Sequence, residues 1–235
     1  MLRSPRAARR LMSVYLLTSL GLGGWAAALA QQPAVPAGLV DLEKSRVYVL
    51  VKKSGLGHDH AVEGRLKKGS RIHLGQLSKA GELIFDMPTF KVDTDEARKY
   101  VSTFFPLEGV IKKEEQDKIT AIMQGEKVLD SAVHPEATLV LLRAHQVSPR
   151  SAQNPVALYD LVGQLTLHGR MQPVTLTCEV VEKGDRIRLQ GSCIIPQSQF
   201  GIKPYSAFLV AGVKDQLEIY GDIWIMGLKL PKPVD

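Results

Sequence analysis

From residue 45 onward the chain is dominated by alternation with a period of two. Val47, Val49 and Val51 recur along R-V-Y-V-L-V-K, and Leu83, Phe85 and Met87 recur along E-L-I-F-D-M. Further on, Leu161, Gly163, Leu165 and Leu167 form one phase, then Val174, Leu176, Cys178 and Val180. The same holds for Ile187, Leu189, Gly191, Cys193 and Ile195, and for Leu217, Ile219, Ile223 and Ile225. Successive side chains of a strand point to opposite faces, so each run predicts a strand with one apolar face. His168-Gly169-Arg170-Met171-Gln172-Pro173 and Glu182-Lys183-Gly184-Asp185 break the pattern as hairpin links do. Weaker runs near 60–67, 70–75 and 137–146 bring the expectation to about eight or nine strands.

One region departs from this rhythm. Thr94-Asp95-Glu96 reads as a helix start, with Thr94 as cap and acids in the first turn. Lys113 to Gln124 is a second helical segment, stopped by Gly125. Many antiparallel strands with one apolar face each must cover that face or curl on themselves. The expected fold is therefore all-β: a lipocalin-like antiparallel barrel with one or two short helices, with a β-sandwich as the alternative.

The N-terminus changes how the charge is read. Arg3, Arg6, Arg9 and Arg10 precede an apolar, small-residue stretch that closes on Ala28-Leu29-Ala30, the pattern that signal peptidase accepts. That stretch is about sixteen residues, short of the ~20 that span a bilayer. Residues 1–30 are thus assigned as a signal peptide cleaved after Ala30, 31–44 as a flexible leader and 45–235 as the barrel domain. The expected location is periplasmic or secreted. The full chain has 30 basic and 24 acidic residues, and four of the Arg lie in the signal, so the remainder carries a net charge of only +2. No basic run in that part suits nucleic acid. The remaining chain is long enough to bury a core without metal or disulfide support. Its two cysteines, Cys178 and Cys193, leave open a bonded or a free pair in an oxidising compartment.

Candidate chemistry is sparse. His58-Asp59-His60 places two imidazoles beside a carboxylate in a rim loop. Two His at i, i+2 in an extended chain share one side and can meet one metal. The third ligand would come from His73, His134, His145 or His168, among which spacing does not choose. The alternatives for the cluster are a capped turn with solvated imidazoles, a metal or haem site, and contacts to a ligand head group. If the loop is only a turn, replacing both histidines with Ala leaves stability almost unchanged. His168 is read as structural, in a turn for which Gly169 supplies the backbone freedom. No G-x-S-x-G, H-E-x-x-H, phosphate-cradling Gly loop or C-x-x-C occurs, so no enzyme activity is expected. The inward phase of the strands selects Val49, Val51, Phe85, Leu141, Gly163, Leu165, Leu176 and Ile219 as the lining of any tunnel. Gly163 marks a place where that lining lacks a side chain, so Gly163→Phe is expected to narrow it.

L-T-L-H-G-R-M-Q-P-V-T-L (165–176) resembles the strand–turn–strand signature of the YceI-like, polyisoprenoid-binding periplasmic proteins. S-R-V-Y-V-L-V-K (45–52), V-L-D-S-A-V-H-P-E-A-T-L (128–139) and S-Q-F-G-I (198–202) resemble further segments of that family, in order. The resemblance spans roughly 45–225. It implies a barrel whose apolar tunnel holds a bound isoprenoid lipid, of the quinone or polyprenyl phosphate type, with transient membrane contact during exchange. The segment Gly57-His58-Asp59-His60 is typical of only a subset of the family, and 94–127 matches loosely. A metal- or haem-binding, redox-related protein centred on His58 and His60 is the alternative. The exported form is expected to begin at Gln31. N-terminal sequencing of that form checks this, and an intact Met1 in a membrane fraction would refute it.

Overall fold

The structure is a computed structural model that describes residues 37–207 and 211–233. The signal segment, and therefore its cleavage site, lies outside the described residues. Ten strands and two α-helices follow in order: β1 (Arg46–Gly55), β2 (His60–Leu66), β3 (Arg71–Ile72), β4 (Gly81–Val92), α1 (Asp95–Val101), α2 (Lys113–Gln124), β5 (Glu136–Ser148), β6 (Ala157–Leu167), β7 (Arg170–Lys183), β8 (Arg186–Pro196), β9 (Ser206–Ala207) and β10 (Ala211–Met226). Neighbours pair in the order β1-β2-β4-β5-β6-β7-β8-β10, and β10 returns to β1, so eight strands close a ring. β3 hangs on β4 and β9 on β10. Every named ladder is antiparallel.

Local chemistry accounts for the connections. His168 and Gly169 both have positive φ, +50° and +71°, in the two-residue link between β6 and β7. Two left-handed residues match the twist of the flanking strands, which is why this hairpin is tight. Thr94 caps α1 by accepting from the Ala97 N–H at 3.1 Å, and α2 ends against Gly125. In S-Q-F-G, Ser198 bonds both carboxylate oxygens of Asp215 through its N–H and hydroxyl. Phe200 is fully buried, and Gly201 takes φ +76° to leave the short 3-10 turn.

The two ends of the barrel differ. Toward one end Leu141, Tyr159, Val180, Ile187 and Ile225 pack into the core. The segment before β1 stoppers that end: Gly38 N–H bonds Met226 O, Val40 N–H bonds Ser70 O and Asp41 N–H bonds Trp224 O. The leader expected to stay loose through residue 44 is thus part of the fold from Gly38 onward, because its backbone finds partners on two strands. The other end carries the β1–β2 turn, α2, the His168–Gly169 hairpin and the 3-10 turn.

The helices explain why β1 is apolar on both faces. Tyr48 and Leu50 point outward, yet both are buried, because α1 lies over them. The Tyr48 ring stacks on Tyr100 at 3.9 Å. α2 is held at a bulge in β4: Gln124 donates to Met87 O and Phe90 O, and Thr120 Oγ1 accepts from the Val92 N–H.

Gly163 has a different role from the one its sequence phase suggested. A Cβ there would lie 2.4 Å from Val140 O and 3.1 Å from Leu139 Cδ1. It marks close approach of β5 and β6 beside a register shift after Leu141, not open interior space. Gly163→Ala therefore destabilises the barrel by ~1–3 kcal/mol, as overpacking does, and Gly163→Phe by more. Denaturant unfolding of the purified variants checks this. A Gly163→Phe protein as stable as the parent would show that the interior has room at that position.

Candidate functional site

Inside the ring lies a cavity of about 310 Å³ that reaches from His60 and α2 down to Val47, Ile72 and Ile223 near the stopper segment. Its wall is almost wholly apolar and includes Val49, Val51, Phe85, Leu165, Leu176 and Ile219 from the sequence-selected set. Val51, Phe85, Leu176 and Ile219 are only half-buried, as side chains bordering a space must be. Leu141 and Gly163 are not in this wall. They pair with each other across β5 and β6; Leu141 packs fully buried in the core and Gly163 has no side chain to offer, although Leu161 and Leu165 on either side of Gly163 do border the space. Residues that the sequence reading left out also contribute. Ile119, Ile122 and Met123 of α2 reach the cavity, as do Met87 and Phe90 from the β4 bulge. The helical residues and Phe90 lie outside any period-two pattern, whereas Met87 ends the Leu83, Phe85, Met87 run without having been chosen for the lining.

Cys178 and Cys193 both line the cavity as free thiols. Cys178 stands opposite Gly191 in the ladder, so Cys193 is its diagonal neighbour. Diagonal Cα atoms are about 7–8 Å apart, beyond the ~7 Å reach of a disulfide. Burial pushes the Cys178 thiol up to about 12 and the Cys193 thiol up to about 11.

The polar contribution to the wall near α2 is His60, and it belongs to a cluster. His60 starts β2, and its Nδ1 lies 2.7 Å from Asp93 Oδ2. His58 Nε2 lies 3.9 Å from the same oxygen. The two imidazole rings meet edge-on with centroids 4.5 Å apart. Asp93, the residue before the α1 cap, is fully buried and has φ +55°. Its Oδ1 accepts from the Ala61 N–H at 3.0 Å and from Arg98 at 3.1 Å, while its own N–H donates to Ala61 O at 2.6 Å. Burial acts to raise the carboxyl pKa, but the bonds from His60, Ala61 and Arg98 outweigh it and hold the group below its ordinary range. Burial, with the neighbouring His60, lowers the His58 pKa.

The partner of the two histidines is therefore Asp93, and not His73, His134, His145 or His168. Asp93 sits 33 residues from His60, and the sequence showed it only as an acid near a helix start. Asp59 does not join the cluster: its Oδ1 accepts from the Lys53 N–H at 2.8 Å and closes the turn. His134 and His168 form a separate pair, with ring centroids 4.6 Å apart.

A closed antiparallel ring, solid at one end and hollow at the other, with a polar cluster at its hollow end, defines a lipocalin-like barrel. Comparison with known proteins assigns it more narrowly. The YceI-like domain matches residues 39–224, and the chain belongs to that family. Burkholderia cenocepacia BcnA is similar in structure, with a TM-score of 0.50 and 18% identity, over 79% of this chain and 99% of that one. A polyisoprenoid binding domain from Saccharophagus degradans implicated in plant cell wall breakdown aligns at TM-score 0.49 and 12% identity, over 80% of this chain and 97% of that one. The Campylobacter jejuni YCEI protein aligns at TM-score 0.41 and 11% identity, over 93% and 100%. At these identities the likeness is one of fold. A search of curated proteins finds no match.

Two predictions arise from this geometry. The expectation that both histidines are neutral to folding needs correction for His60, since removing it takes a hydrogen bond from a buried carboxylate. His60→Ala destabilises by ~1–3 kcal/mol, whereas His58→Ala, which lacks a close partner, stays within about 0.5 kcal/mol. Equal losses in urea unfolding would contradict this division. At pH 8 both thiols are almost wholly protonated, so native protein reacts slowly with iodoacetamide and unfolded protein promptly at two sites. Prompt labelling of the native protein would contradict the buried setting.

Proposed function

We propose that the protein is an exported carrier that holds one long isoprenoid-type lipid, of the quinone or polyprenyl phosphate kind, inside its barrel. The observation that carries this reading is the apolar cavity of about 310 Å³, within the range of ligand pockets. Membership of the YceI-like family agrees with it. The mechanism is desolvation without bond chemistry. Each buried CH₂ contributes ~0.8 kcal/mol, while association costs about 4–15 kcal/mol. About ten methylenes are needed merely to approach the middle of that cost, so the barrel favours long chains over short ones. Export rests on the basic, apolar and small-residue pattern of residues 1–30. Loading and release then involve transient contact with a membrane.

A second reading, a metal-binding protein for which the barrel is a scaffold, draws on the convergence of His58, His60 and Asp93. Mass spectrometry of an organic extract of the purified protein separates the two. The wild type is expected to yield one lipid species. Val51 borders the space and is half-buried, so Val51→Trp is expected to remain folded and to lose that lipid. An empty wild-type extract, together with a destabilised Val51→Trp protein, would overturn the carrier reading.

A further inference from the structure

We propose that His58, His60 and Asp93 form a binding site for one divalent first-row transition-metal ion of the zinc class. His58 Nε2, His60 Nδ1 and one Asp93 carboxylate oxygen lie within 4.8 Å of one another. Ligand atoms about 2.0–2.1 Å from a tetrahedral zinc are roughly 3.3 Å apart. The observed 2.7 Å and 3.9 Å separations from Asp93 Oδ2 bracket that value. An ion would replace the His60–Asp93 hydrogen bond and draw His58 nearer to Oδ2.

Two further observations favour a metal over a purely structural triad. His58 Nε2 is buried yet has no hydrogen-bond partner, a costly arrangement for a ring nitrogen unless something else satisfies it. The two oxygens of Asp93 are divided in their work. Oδ1 is occupied by Ala61 N–H and Arg98, which orients the carboxylate as outer-shell partners do in metal sites. Oδ2 is turned toward both imidazoles. Two imidazoles and one carboxylate suit zinc, cobalt, nickel or copper better than magnesium or calcium. Three protein ligands leave the remaining coordination to water or to an oxygen-bearing ligand. His60 also lines the cavity, so the site lies beside the cavity wall. The site stands on these contacts whether or not the cavity carries lipid.

The test is titration of the chelator-treated protein with cobalt(II), followed by visible absorbance, with zinc displacing the cobalt. One equivalent is expected to saturate the site and to raise the melting temperature. His58→Ala, which leaves the His60–Asp93 bond intact, is expected to weaken binding at least about tenfold, as the loss of a ligand or its support does. His60→Ala has the same effect if the variant folds. Asp59→Asn and His134→Ala are expected to bind as the parent does, since neither residue belongs to the cluster. The proposal fails if the parent shows no saturable binding. It also fails if His58→Ala binds undiminished or if His134→Ala abolishes binding. Lipid extracted from the same preparations reports on the carrier reading separately.

Discussion

The ladder between the first and the last long strand holds the architecture together. β10 is the longest strand, sixteen residues, and it pairs with β8 on one side and β1 on the other. Arg46 to Gly55 meet Asp222 to Ala211, which turns an open sheet into a ring. Closure removes the exposed edges that an open sheet must otherwise protect. It also fixes which phase of every strand faces inward. Beside this seam Arg188 grips Asp222 with two bonds of 2.7 Å. Asp222 is buried, so the fork of the guanidinium supplies partners that water cannot.

A ring of eight strands leaves an interior that side chains fill, or almost fill. Here the segment from Gly38, together with Tyr159 and Ile187, fills one end. The other end is lined by residues that stand back from its centre, and α2 leans over the β4 bulge without burying any residue of its own. The polar cluster sits where α1 meets β2. Asp93 at the head of α1 bonds Ala61 of β2 in both directions, so the same carboxylate that anchors the helix also orients His60. Anchoring and site chemistry are therefore one structural unit at the hollow end of the barrel.

Much of this was legible along the chain. Alternation placed the major strands, Thr94 marked the start of α1 and Gly125 the end of α2. His168-Gly169 was read as a turn because it breaks the alternation and Gly169 supplies backbone freedom; the structure adds that His168 is left-handed too. Six of the eight inward residues chosen by phase border the cavity. Leu141 and Gly163 do not, because period two reports the face of a strand and not whether a side chain there is packed against neighbours or absent. Gly163 further shows that a missing side chain can signal a backbone drawn close, here Val140 O. β1 deceived in another way, since its outward residues are apolar on account of α1.

The sequence by itself determined the antiparallel strands, the hairpins, the helix ends and the histidine pair at 58 and 60, because these follow from neighbours within a few residues, whereas closure into a barrel and not a sandwich rests on the pairing of β1 with β10. Only the tertiary structure decided what those histidines face. Asp93 is distant in sequence, carries no motif, and becomes their partner because the β2–β4 ladder sets Val92 beside Val62. It likewise decided that Cys178 meets Gly191 and not Cys193, since strand register is a property of the pair of strands. The depth of the cavity was decided there too, because space inside a barrel is what remains after every strand, helix and stopper has packed.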